Sequence, residues 1–130
     1  MVRYIDKNGK EYVLRFDMSA IAEMREAYGE YTEGLKKLAS GNDIEALKKM
    51  FAILANAGAE YLAEERGEPV TEKITGEGLL SKHSSIGKMR GIMKAIDEAI
   101  KDGNRMMSAE EEDDQIRDGY LKELNEKEKN

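Results

Sequence analysis

The amino-acid sequence predicts an α+β fold that is predominantly α-helical, with an N-terminal β-hairpin followed by four to five helices. The first observation is an asparagine–glycine turn between two short segments rich in aromatic and β-branched residues. The second is a series of segments whose apolar residues recur three and four positions apart, separated by glycine and proline. A chain of 130 residues suits one domain with a modest hydrophobic core.

The hairpin is predicted from two strands, at 3–5 and 11–16, joined by residues 6–10. Asn8 and Gly9 fit a two-residue type I′ turn, whereas Gly9 alone fits the left-handed position of a bulged turn. The two turns give different strand registers, and both remain open at the level of sequence.

Two short helices are predicted after the hairpin. Asp17 or Ser19 is suited to cap the first helix, and Gly29 is suited to end it. The second helix covers residues 30–40 and is expected to end at Gly41.

The third helix is predicted to be the central and most buried one, because apolar residues lie nearly all round it. Asn42 is expected to be its N-cap, with Glu45 three residues later completing a capping box. Gly67 and Pro69 are expected to end it, since proline cannot continue a helix.

A loop is predicted over 70–78, with room for a short helix over 79–82 before Ser84 or Ser85 caps the fourth main helix. Apolar residues in that helix, Met89 and Met93 among them, repeat at intervals of three and four until Gly103, which is expected to stop it. Packing of this face on the third helix is the main interpretation, and a seam between copies of the chain is the alternative.

The chain is predicted to divide into a body, 1–107, and an acidic tail, 108–130, which has nine acidic and four basic residues. Ser108 and Glu111 fit another capping box, so a last, marginal helix is expected there. A thin apolar stripe on this helix comprises Ile116, Tyr120, Leu121 and Leu124.

The residue types argue against most chemical activities. The chain has no cysteine and a single histidine, His83, which is too little for a zinc site. No motif supplies a nucleophile, a base and an orienting group together, so a non-enzymatic protein without a cofactor is predicted. No apolar stretch approaches the roughly 20 residues that cross a bilayer, and no signal peptide is recognised, so a cytosolic protein is expected.

A weakly basic stretch supports an alternative hypothesis. Residues 73–107 carry seven basic and four acidic residues, including Lys88, Arg90 and Lys94. This excess is too small and too interrupted by acids for a surface that follows nucleic-acid phosphates, so the sequence argues against nucleic-acid binding. A small helical regulatory or DNA-associated protein remains the alternative function.

A resemblance to a known family rests on the order of turns, helix ends and apolar positions. The segments that carry it, after the hairpin, are MSAIAEMREAYG at 18–29, GNDIEAL at 41–47 and FAILANAG at 51–58. With the hairpin, they resemble the tail assembly chaperones of long-tailed bacteriophages and related prophages. The resemblance extends more weakly to Ile100 and leaves the tail uncovered.

The resemblance implies a non-enzymatic protein of the bacterial host cytoplasm, absent from the mature virion. Such a protein binds the tape-measure protein and helps tail-tube protein subunits assemble around it. A binding surface for such a partner is expected along apolar helix stripes. The candidate partner-binding residues are Met89, Met93, Ile116, Tyr120, Leu121 and Leu124.

Overall fold

The computed structural model describes residues 1–39, 43–70 and 72–128, and their side chains except those of residues 31 and 108–128. Within these ranges it contains a two-stranded antiparallel sheet and four α-helices. In chain order the elements are β1 (Val2–Ile5), β2 (Glu11–Leu14), α1 (Met18–Tyr28), α2 (Tyr31–Ala39), α3 (Ile44–Arg66) and α4 (Ile86–Glu128). The predicted fold class is therefore confirmed.

The hairpin has the bulged turn, one of the two that the sequence allowed. Gly9 has a φ of 81°, and its amide donates to the carbonyl of Asp6 at 3.0 Å. The amide of Asp6 donates to the carbonyl of Lys10 at 2.9 Å. The Asp6 carboxylate also accepts from the amides of Asn8 and Lys10, so one side chain holds the whole turn.

One face of the hairpin packs on α3. Tyr4 is paired with Tyr12 across the strands, and both rings meet Phe51 edge-on, at centroid distances of 5.4 and 5.2 Å. Val2 and Leu14, the next pair on this face, join the same core. The alternation of the strands thus directs their large side chains to one side.

Helix α3 is the central helix, as its composition predicted, and ten of its residues are buried. Strand β2 lies directly on its backbone. A Cβ at Gly58 would overlap the carbonyl oxygen of Val13, and the amide of Arg15 donates to the carbonyl of Leu54 at 3.0 Å. The glycine is therefore required for the close approach of strand and helix.

Helix α4 is much longer than predicted, with 43 residues. It passes through Gly103 without a break, so the prediction that Gly103 ends the helix is wrong. Gly103 is buried, and a Cβ there would overlap the carbonyl oxygen of Phe16. The glycine lets the helix lie against the backbone that follows β2. Because α4 is continuous through residue 108, the prediction that a separate last helix begins at Ser108 is wrong.

The other helix ends agree with the predictions except for small shifts. The Asp17 carboxylate accepts from the amide of Ala20 and caps α1, while Gly29 and Gly67 follow α1 and α3 with positive φ. The N-cap of α3 is Asp43, so the expectation that Asn42 caps it is wrong by one residue.

Gly41, the predicted end of α2, lies outside the described residues, and so does Asn42. The hydroxyl of Ser85 accepts from the amide of Lys88 at the start of α4, which decides between the two serines. Residues 79–82 are not helical.

Candidate functional site

Helix α4 carries one buried face where it packs on the hairpin and α3. This face is formed by Ile92, Ala95, Ile96, Ala99 and Gly103. At about 100° per residue, these positions fall within about 100° around the helix axis. Met89 and Met93 flank the face, are half-buried and pack against the same core. The structure thus places two of the predicted partner-binding residues at the margin of the core.

The other four predicted residues lie on the C-terminal half of α4. Their side chains are outside those that the structure describes, but the backbone is helical through all four positions. Positions 116, 120 and 124 therefore lie one above another at intervals of about one turn. These four residues are Ile116, Tyr120, Leu121 and Leu124.

Because α4 is continuous, positions in its two halves can be compared around one axis. At about 100° per residue, positions 116, 120 and 124 centre about 70° from the middle of the buried face. Position 121 is in line with the buried face itself. Met106 lies five turns before position 124 and in line with it. Its side chain is 37% exposed. The apolar stripe of the tail is therefore rotated away from the core.

A separate cleft of about 1060 Å³ lies over α3, between α1 and the segment 72–78. One wall holds Tyr28, with Nζ of Lys49 at 4.6 Å and Nζ of Lys37 at 5.5 Å from its ring centroid. The Tyr28 hydroxyl is buried and has no hydrogen-bond partner among the described residues. Burial, followed by the charge of Asp43, raises the pKa of Tyr28 above its ordinary value of 10.0.

The opposite wall of the cleft is held by Asn56. Its side-chain amide donates to the carbonyl of Ile74 at 2.7 Å, and its oxygen accepts from the amide of Ile74 at 2.8 Å. Gly76, with a φ of 76°, brings this segment so close to α3 that a Cβ would lie 2.6 Å from the carbonyl oxygen of Lys48. The segment is therefore fastened to the helix.

The cleft was not predicted from the sequence, because its walls come from distant parts of the chain. The one local signal is Asn56, a polar residue in an otherwise apolar run. The lining mixes lysines with carboxylates. Among the described residues, no group of three or more His, Asp or Glu side chains could hold a metal ion.

Four basic residues of the stretch 73–107, at positions 90, 94, 101 and 105, fall within about 60° around the axis of α4. Arg90 and Lys94 are exposed, whereas Lys88 is half-buried. Asp97 is exposed as well and pairs with Lys101 at 2.9 Å. Acidic groups thus share the exposed side of α4 with the basic ones, and the DNA-associated function stays a prediction.

No protein-family model matches this chain, and comparisons with curated proteins and with solved structures found no match either. Among the described helices, none combines the length and the apolar composition that crossing a membrane requires.

Proposed function

We propose that this chain is a non-enzymatic tail assembly chaperone of a long-tailed bacteriophage or prophage. It binds the tape-measure protein and assists the assembly of tail-tube protein around it. It acts in the cytoplasm of the bacterial host and is absent from the mature virion.

The main support is the order of the structural elements. The resemblance rests on a hairpin, a short helix ended by glycine and a long apolar helix, in that order. The chain folds into β1 and β2, then α1 followed by Gly29, and then α3 with its ten buried residues. The segment at 18–29 thus forms α1 and the glycine that follows it, whereas residues 44–47 and 51–58 both belong to α3.

Further support comes from the shape of α4. A helix of 43 residues is about 65 Å long. The buried residues that the structure describes on it lie at 92–103, in its N-terminal half. The C-terminal half has an apolar stripe at positions 116, 120 and 124 in an otherwise charged sequence. A helix of this kind binds another helix through its stripe.

The mechanism that follows is transient shielding. The tape-measure protein is expected to be long and helical, with apolar surface exposed until the tube surrounds it. Helix α4 covers part of that surface, while its many acidic residues keep the complex soluble. Tail-tube subunits then displace the chaperone as they assemble.

The test is co-expression of the full chain with the tape-measure protein from the same genome. We expect the tape-measure protein to become soluble and to co-purify with this chain. A helical protein that aggregates for unrelated reasons serves as the control, and it should stay insoluble. A tape-measure protein that remains insoluble and unbound would refute the proposal.

A further inference from the structure

A seam runs along the C-terminal half of α4. We define it as positions 106, 109, 113, 116, 120 and 124, which at about 100° per residue fall within about 80° around the helix axis. All are apolar except the third: Met106, Ala109, Asp113, Ile116, Tyr120 and Leu124. The seam is about 27 Å long at 1.5 Å per residue, enough for an extended contact with another helix.

The seam is centred away from the face of α4 that packs on the core. Its middle lies about 70° from the middle of the face that Ile92, Ala95, Ile96, Ala99 and Gly103 bury, and of these only Ala95 is in line with the seam. Met106, the seam residue whose side chain the structure describes, is 37% exposed. Beyond Met107, the positions in line with the buried face are mostly charged. They are Glu110, Asp114, Arg117 and Leu121.

The net negative charge of the segment that carries the seam favours one kind of binding partner. Residues 108–130 include nine acids and four bases. Pairing two copies of this segment would bring two acidic helices together, and like charges side by side disfavour such a contact. A helix with lysine or arginine beside its apolar residues gains apolar burial and attraction from both flanks.

We infer that the seam binds a basic amphipathic α-helix of a partner protein. The inference rests on the proposed function and deepens it, because it specifies which kind of tape-measure segment the chaperone recognises. It is a lysine- or arginine-rich helix with an apolar stripe, rather than any apolar surface.

The direct test uses the full chain and a synthetic 21-residue peptide with leucine at heptad positions a and d and lysine elsewhere. Calorimetry at low salt should show saturable binding that weakens several-fold at about 0.5 M salt, because the charges are screened. A peptide of the same composition in scrambled order, and one with glutamate in place of lysine, should bind at least about tenfold more weakly. Equal binding of the scrambled peptide would overturn the inference.

Two matched double variants locate the site. Ile116→Ser with Leu124→Ser removes two seam side chains, whereas Gln115→Ser with Asn125→Ser changes their neighbours outside the seam. Both pairs introduce the same residues without changing charge. The seam variant should raise the Kd at least about tenfold, and the control should stay within about twofold. Equal effects of the two pairs would show that helix loss, not the seam, controls binding, and would overturn the inference.

Self-association provides the opposing outcome. Sedimentation of the chain alone should show a monomer, or an oligomer that is unaffected by the change at 116 and 124. A dimer that is tighter than the peptide complex and is lost in the seam variant would identify a second copy as the occupant, contrary to the inference. If the tape-measure protein co-purifies unchanged with the seam variant, the inference fails and the proposed function stands. If the peptide binds and no tape-measure protein does, the proposed function fails alone.

Discussion

Gly103 shows how a single missing side chain sets the packing of a long helix. Because a Cβ at this position would overlap the carbonyl oxygen of Phe16, Gly103→Ala must push α4 away from the backbone that follows β2. We expect a loss of about 1–3 kcal/mol in the free energy of unfolding, typical of overpacking. Thermal unfolding followed by circular dichroism measures it.

The matched control is Gly91→Ala on the same helix. Gly91 is exposed, and a Cβ there would meet nothing within 4 Å. The higher helix propensity of alanine should therefore stabilise the protein by up to about 1 kcal/mol. If Gly103→Ala also raised the unfolding temperature, close packing at Gly103 would be excluded.

Tyr28 is expected to make the free energy of unfolding fall at alkaline pH. Its raised native pKa means that the native state keeps the hydroxyl proton at a pH where the unfolded chain has lost it. The contribution of the neutral Tyr28 hydroxyl to the free energy of unfolding is therefore full below about pH 10. It is lost as the pH rises through the native pKa. Tyr28→Phe should reduce this loss at alkaline pH. By removing a buried unpaired hydroxyl, it should also raise the free energy of unfolding by up to about 1 kcal/mol at pH 7.

The measurement is denaturant unfolding of both proteins between pH 7 and pH 11. Tyr4 also has a raised pKa, chiefly through burial, so part of the alkaline loss should remain in the variant. An alkaline loss as steep in Tyr28→Phe as in the parent would mean that Tyr28 does not contribute.

At the scale of the elements, the segment 72–78 is held to α3 by the side chain of Asn56. Asn56 both donates to and accepts from the backbone of Ile74. Asn56→Asp replaces the donor with an oxygen that faces the Ile74 carbonyl. We expect the free energy of unfolding to fall by about 1–3 kcal/mol and hydrogen exchange at the Ile74 amide to become faster. As the pH falls towards about 4, the carboxyl becomes protonated and can donate again, so the deficit should shrink.

Asn104→Asp makes the same chemical change at an exposed position of α4 and serves as the control. Its effect on stability should stay within about 0.5 kcal/mol, as for most surface substitutions. Unchanged exchange at Ile74 in Asn56→Asp would show that the segment is held by other contacts.

Helix ends were predictable where a local rule fixes them. Gly29 and Gly67 follow their helices because both carry a positive φ that glycine adopts freely. Asn42 and Asp43 have equivalent capping chemistry, so spacing alone could not choose between neighbours. Gly103 was misread because its packing partner, Phe16, is distant in the chain, and a packing glycine has the same local signal as a stop.

The same limit applies to the candidate sites. The spacing of Ile116, Tyr120 and Leu124 predicts an apolar stripe without knowledge of the fold. Its direction relative to the core could not be predicted, because that requires one helix to run unbroken through Gly103. The cleft could not be predicted without the tertiary structure, because Tyr28 and Ile74, which line its two walls, are far apart in the chain.

At the scale of the whole molecule, α4 runs as one continuous helix from the packed body into the tail. The buried side chains that the structure describes all precede Met107. A chain ending at Met107 should therefore unfold cooperatively, within about 4–8 °C of the full chain, which corresponds to about 1 kcal/mol. It should lose the ellipticity of the removed helix and no longer solubilise the tape-measure protein.

A second truncation shows that this tolerance is specific to the tail. Ending the chain at Gly91 removes Ile92 and Ile96, both fully buried, and should abolish the cooperative transition. Calorimetry and co-expression of both truncations separate folding from binding. If the chain ending at Met107 still captured the partner, binding would belong to the body, and the cleft over α3 would become the surface to test. If it failed to fold, residues 108–130 would belong to the core instead, because only lost burial could destabilise the body so far.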